Sequence, residues 1–163
     1  MSTQDDPVVI VGMARTPMGG LLGDLASFSA NELGAAAIKA ALEEAGVDPE
    51  EINEIVMGNC LPAGQGQAPA RQAGIKADLG QHVESTTINK MCGSGMQAAV
   101  MGTASILSGQ AQIVIAGGME SMTNAPHMID LRKGHKYGHT QTKDHMALDG
   151  LEDAYAGEPM GKF

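Results

Sequence analysis

A chain of 163 residues can bury one core and has the size of one domain. Its 19 acidic and 10 basic side chains leave a net charge of −9, which argues against nucleic acid or an anionic membrane as the main partner. There are only two cysteines, no apolar leader behind a basic segment across Met1 to Val11, and no uncharged apolar run of membrane-spanning length, even Ile113 to Ala125 being interrupted by glycines and Glu120. These features predict a soluble protein of a reducing compartment, with the cytoplasm as default.

The elements read as strand and helix in alternation. Val8-Val9-Ile10-Val11 is a short continuous apolar run, as expected for a strand buried on both faces. A long helix follows. Ser29-Ala30-Asn31-Glu32 has the form of a capping box, Leu33, Ala36, Ala37, Ala40 and Ala41 form its apolar stripe, and Gly46 stands at the C-terminal cap. Ile52 to Gly58 predicts a second strand, Pro62 to Gly66 a glycine-rich loop, and Ala68 to Ala77 a helix with Pro69 in its first turn. Ser85 to Asn89 reads as a third strand. From Gly95 a second long helix carries Met96, Ala99, Val100, Thr103 and Leu107 on one face and stops at Gly109, and Ile113 to Ala116 is a fourth strand. The alternation predicts an α/β fold with a parallel-dominated sheet, helices on both faces, right-handed crossovers, and ligands beyond the carboxyl ends of the strands.

After Gly118 the character changes. Residues 123–163 lack clear periodicity, hold four of the five histidines and half of the basic residues, and carry glycines at 134, 138, 150, 157 and 161, so this stretch reads as loop or as part of an incomplete domain. His135 and His139 have the spacing of a helical metal pair, but Gly134 and Gly138 argue against a helix there. Arg132, Lys133, Lys136 and Lys143 make a basic loop on an acidic chain.

The chemistry concentrates at Cys92, where the β-prone run Thr86 to Asn89 meets a small-residue turn and then a helix. A helix start offers free N–H groups and the positive end of the macrodipole, and both favour thiolate over thiol. Gly93 and Gly95 leave room for a substrate carbonyl. Three readings of the segment stand side by side. Cys92 can be a small buried core residue. Gly93-Ser94-Gly95-Met96-Gln97-Ala98 also fits a dinucleotide-binding fingerprint, with Glu120 on the ribose, although Glu120 lies beyond the usual spacing. The third reading is covalent acyl transfer through the thiolate. Cys60, at the end of the second strand, reads as a buried small hydrophobe.

Asn89-Lys90-Met91-Cys92-Gly93-Ser94-Gly95-Met96, followed by Gly117-Gly118-Met119-Glu120-Ser121-Met122-Thr123-Asn124-Ala125-Pro126, resembles the nucleophile segment and second signature of the thiolases, the acetyl-CoA acetyltransferases. Ala14 to Gly20 and Gly64 to Gln72 are similar to segments of that family in the same order, so the resemblance runs along essentially the whole chain. It implies a thiolase-type half with a mixed, parallel-dominated sheet, divided into an N-terminal core domain over 1–122 and the start of a loop domain over 123–163.

The resemblance also implies ping-pong exchange of acyl groups between a cysteine and coenzyme A, in 3-ketoacyl-CoA thiolysis or Claisen condensation. Cys92 is then the nucleophile and a backbone oxyanion donor, Met160 lines the substrate pocket, and coenzyme A is a substrate with no further cofactor or metal expected. The activating histidine, the second cysteine and the water-orienting asparagine of the family lie in segments absent from this sequence. His82, His127, His135, His139 and His145 stand outside any Gly-His-Pro motif, and Cys60 outside a Cys-x-Gly-Gly-Gly motif. The isolated chain is therefore expected to be inactive without its C-terminal half. The complete enzyme is expected to be a homodimer or tetramer, with Gly66 to Gln72 near its subunit contacts. A non-catalytic folding or dimerisation module is the alternative.

Overall fold

A computed structural model of the chain describes residues 6–162, so Met1 to Asp5 and the terminal Phe163 lie outside it. Its centre is a parallel sheet of three strands, β1 (Glu54–Gly58), β2 (Glu84–Ile88) and β3 (Val114–Gly118), in the order β2-β1-β3. Ile55 stands opposite Ser85 on one side and Ile115 on the other. Three helices cover the sheet: α1 (Ala30–Ala45), α2 (Pro69–Lys76) and α3 (Ser94–Leu107). The chain steps from β1 through α2 to β2, then back across β1 through α3 to β3. Two right-handed crossovers running in opposite directions must place their helices on opposite faces.

Strand alternation matches this layering. Ile55 and Met57 join Ile52, Ala73 and Leu79 in the core beneath α1 and α2, with Ile113 and Ile115 packed against it. Val114 and Ala116 face Gly102 of α3. Ile52, Ile55 and Val56 are among the largest fully buried side chains, each worth roughly 1.5–3 kcal/mol of burial.

The α1 boundaries follow its local chemistry. The Ser29 N–H and Oγ both donate to Glu32 Oε2, at 2.9 and 2.6 Å, and Gly46 ends the helix at φ +65°. The buried face of α1 is not the expected stripe: Ala30, Asn31, Gly34, Ala35, Ile38 and Leu42 face the core, while Ala36 and Ala40 are exposed. An alanine-rich helix is apolar nearly all round, so its sequence does not select one face.

The α3 face is inverted in the same way. Its sheet side is made of Ser94, Ala98, Gly102 and Ser105, and a Cβ on Gly102 would lie 2.9 Å from Val114 Cγ1. Small residues let the helix axis approach the strands closely. The apolar stripe of Met96, Ala99, Val100, Thr103 and Leu107 points to solvent, with Met96 78% exposed.

The expected first strand, Val8 to Val11, is not in the sheet. The segment packs on α1 through Gly12, where a Cβ would meet the Ala41 carbonyl at 2.5 Å, and the Met13 N–H donates to Glu44. Ile10 is 85% exposed. Between this segment and β3 lies an apolar slot of about 1010 Å³, with Ala37, Ala41, Ile113 and Ile115 in its wall. A strand needs a paired edge to be one, and the slot separates Val8 to Val11 from the edge of β3.

Beyond Gly118 the chain is more ordered than its lack of periodicity suggests. A two-stranded antiparallel ribbon pairs β4 (His127–Met128) with β5 (Lys143–Asp144), and a π-helical turn covers Ala147–Leu151. Gly134 and Gly138 have φ of +78° and +90°, which no helix allows. Among the described residues no helix is long and apolar enough to cross a membrane.

Candidate active site

The ends of all three central strands meet in one place. Cys60 follows β1, Cys92 follows β2 and Glu120 follows β3, so residues far apart in sequence share the carboxyl edge of the sheet. The junction is tightest at Gly58. A Cβ on Gly58 would lie 2.5 Å from Ser94 Cβ, and one on Gly118 would lie 3.5 Å from the Gly95 Cα. The start of α3 therefore rests on strand backbone. A Cβ on Gly95 would meet Gly117 and Gly118 at ordinary distances of 3.7–3.8 Å, and one on Gly93 would meet only the Lys90 carbonyl, at 3.4 Å.

Cys92 is an exposed free thiol on a turn from Asn89 to Gly93. The turn is over-determined. The Gly93 and Ser94 N–H groups donate to the carbonyls of Lys90 and Met91 at 3.1 and 3.0 Å. Ser94, buried, accepts from the Lys90 N–H at 2.8 Å and donates to the Met91 carbonyl at 2.6 Å. Asn89 accepts from the Met91 N–H at 2.9 Å and donates to the Cys60 carbonyl at 3.3 Å. These bonds hold Met91 at φ +50°, a left-handed conformation that costs a non-glycine residue on the order of 1–3 kcal/mol and persists where its surroundings enforce it. Among the described residues the Cys92 N–H makes none of these bonds.

Glu120 anchors the neighbouring loop. Its carboxylate accepts from Asn59 Nδ2 at 2.7 Å and from the N–H groups of Cys60 and Leu61 at 2.7 and 3.1 Å. A carboxylate spent inward on three donors is not presented to a ribose, and Ser94 is buried, so the glycine fingerprint works here as a packing device. Cys60 is half-buried beside the turn, its Sγ 3.0 Å from the Met91 carbonyl and 3.6 Å from Ser94 Oγ. Burial pushes its thiol up, against the lowering effect of the Ser94 hydrogen bond. Cys60 is thus part of the site's wall, a placement that the sequence could not supply because strand order decides it.

The other motifs brace this site. Gln72 donates to the Gln65 and Gln67 carbonyls and accepts from Asn31, locking the glycine-rich loop to α1. Ser121 and Asn124 both donate to the Phe28 carbonyl, and Thr123 accepts from the Leu22 N–H, fixing the loop before α1. His145, read from sequence as an ordinary loop residue, is 5% exposed. Its Nε2 accepts from the Ala63 N–H at 3.3 Å and its Nδ1 lies 2.6 Å from Asp149, so the proton is assigned to Nδ1. His135 and His139 lie in an exposed loop, the former bonded to the Gly138 carbonyl. Met160 sits in a one-turn helix, Met160–Lys162, and is half-exposed.

The thiolase N-terminal domain model matches residues 8–163. The chain belongs to the thiolase family. It is 51% identical over 155 residues to an acetyl-CoA acetyltransferase of Cupriavidus necator, covering 94% of this chain and 39% of that protein. A cytosolic acetyl-CoA acetyltransferase of Gibberella zeae is 48% identical over 156 residues, covering 95% of this chain and 39% of its own. In three dimensions the chain is similar to an Ascaris suum thiolase crystallised with coenzyme A, with a TM-score of 0.89 and 38% identity over 93% of this chain and 40% of that one. The sequence therefore spans about two fifths of the length of these thiolases. Its α/β sheet with helices on both faces is the thiolase fold, and family membership displaces the dinucleotide reading.

Proposed function

We propose that this chain carries the nucleophile of an acetyl-CoA C-acetyltransferase, with Cys92 accepting the acyl group from a CoA thioester. The observation that carries the reading is the exposed thiol on a turn whose strained Met91 is enforced by Ser94 and Asn89. In the half-reaction the Cys92 thiolate adds to the thioester carbonyl of acetyl-CoA, the carbon–sulfur bond to CoA breaks, and the CoA thiolate leaves with the proton that Cys92 gave up. One thioester replaces another, so the step runs in either direction. In thiolysis the thiolate adds to the 3-keto carbon, and the carbon–carbon bond breaks to give an acetyl-CoA enolate that takes up the proton. That the Cys92 N–H is unspent in the turn supports its proposed role as a donor to the oxyanion.

The domain division is proposed at residue 122, with a loop domain beginning at 123 and Met160 lining the acyl pocket. Acid–base groups come from the part of the longer relatives that this chain does not span. General acid–base assistance alone is worth roughly 10²–10⁴ in rate, so the isolated chain should not turn over. The bare α3 stripe and the slot beside β3 support such a missing half, because among the described residues both are apolar surfaces without a cover. The complete enzyme is proposed to be a cytoplasmic homodimer or tetramer.

The test is the intact mass of the folded chain after incubation with acetyl-CoA, beside Cys92→Ser. One acetyl group on the native chain and none on the variant supports the reading. A folded chain that stays unmodified would assign it instead to an inert folding or dimerisation module.

A further inference from the structure

We infer that Cys60 is a resolving thiol for Cys92, and that a hydroperoxide converts the two into a disulfide that blocks the nucleophile. Cys60 Sγ lies 3.0 Å from the Met91 carbonyl oxygen, which belongs to the peptide that leads into Cys92. In a trans peptide that oxygen is about 3 Å from the next Cα, so Cys60 Sγ stands within about 6 Å of the Cys92 Cα. Side-chain rotation and a shift of an ångström or two in irregular backbone bring two sulfurs so placed to bonding distance. Neither thiol is otherwise engaged in a disulfide. Cys92 is exposed to a small oxidant, whereas Cys60 is half-buried and burial pushes its thiol up, so Cys92 is the first to react.

The step balances as follows. The Cys92 thiolate attacks the peroxide, the O–O bond breaks, and hydroxide leaves to take up a proton, giving a sulfenic acid and water from hydrogen peroxide. Cys60 then attacks the sulfenyl sulfur, an S–S bond forms, the S–O bond breaks, and the leaving hydroxide takes the Cys60 proton as a second water. Two thiols lose two electrons in total, which hydrogen peroxide accepts. The link stops Cys92 from reaching the sinks of the oxidation ladder, the sulfinic and sulfonic acids, and a dithiol restores it.

The test uses the reduced, folded chain and hydrogen peroxide, quenched with iodoacetamide and digested with trypsin. Trypsin places the two cysteines on separate peptides, Ala40–Arg71 and Met91–Arg132, because Arg71, Lys76 and Lys90 lie between them. The expected product is these two peptides joined, lighter by two hydrogens, formed at a rate independent of chain concentration and reversed by dithiothreitol. Cys60→Val and Cys60→Ser should each turn the Cys92 peptide into one carrying two added oxygens at the same peroxide dose. Sulfinic Cys92 accumulating equally in the native chain and in either variant, with no joined peptides, overturns the inference. The readout needs no acyl transfer, so its failure and the failure of the proposed function are told apart by the acetylation experiment.

Discussion

Replacing Gly58 with alanine tests whether backbone contact between β1 and α3 sets the position of Cys92. The added Cβ would lie 2.5 Å from Ser94 Cβ, 2.7 Å from the Ser94 carbonyl carbon and 2.9 Å from the Gly95 N. Ordinary carbon contacts lie at about 3.5–4.0 Å, so the start of α3 must retreat by about an ångström, and two of the three clashing atoms are backbone. Overpacking of this kind costs typically 1–3 kcal/mol, and the rigidity of both elements puts this site at the upper end. With a urea slope of about 2 kcal/mol per molar, the unfolding midpoint should fall by roughly 1.5 M. The retreat also drags Ser94 away from Met91, so acetylation of Cys92 by acetyl-CoA should slow at least tenfold, given that a misplacement of this size can cost about 10²-fold. Gly118→Ala is the comparison, since its Cβ would meet its nearest atoms at ordinary distances of 3.5–3.7 Å, and should shift the midpoint far less. A Gly58→Ala chain with native stability and native Cys92 reactivity would refute the reasoning.

Ser94→Ala removes the hydroxyl that bridges Lys90 and Met91 and leaves the Lys90 N–H without its partner, while the Met91 carbonyl keeps the Ser94 N–H, so a loss of about 1 kcal/mol is expected, with Cys92 alkylation slowed more than unfolding alone explains. His145→Ala should destabilise residues 123–163 against the glycine-rich loop, seen as faster hydrogen exchange at Ala63 and its neighbours while β1 to β3 keep their protection. Glu32 is held below the usual carboxylate range, first by the Ser29 side chain and then by its backbone. The sign is that of a depressed acid: its contribution is present above the unfolded carboxylate pKa and is lost as pH falls through the folded one. Glu32→Gln should therefore differ from native in urea midpoint at neutral pH and converge with it in acid. Val100→Asp on the bare α3 stripe should suppress self-association of the chain in light scattering, because Met96, Val100 and Leu107 are exposed apolar side chains on one stripe.

Local signals read well where one residue's own chemistry settles the matter. The Ser29–Glu32 box, Gly46, Gly109 and the glycines that exclude a helix at His135 and His139 each act within a few residues, and the helices fall within one residue of the expected boundaries at Ala68 to Ala77 and Gly95. The parallel direction of the strands was likewise legible from alternation with helices, but their order was not. The exposed faces were not. A stripe such as Met96, Val100 and Leu107 shows that an apolar partner is wanted without showing that it lies within these residues, and Val8 to Val11 has a strand's composition but no edge to pair with.

The sequence by itself determined the placement of Cys92 at a strand-to-helix turn, because β-propensity, small residues and helix start are contiguous. Only the tertiary structure decided what surrounds it. Cys60, Glu120 and Ser94 meet there because β1 lies between β2 and β3 and because Gly58 lets the start of α3 rest on strand backbone. Strand order and close approach are relations between segments distant in the chain, set by which faces bury together, and no local pattern encodes them.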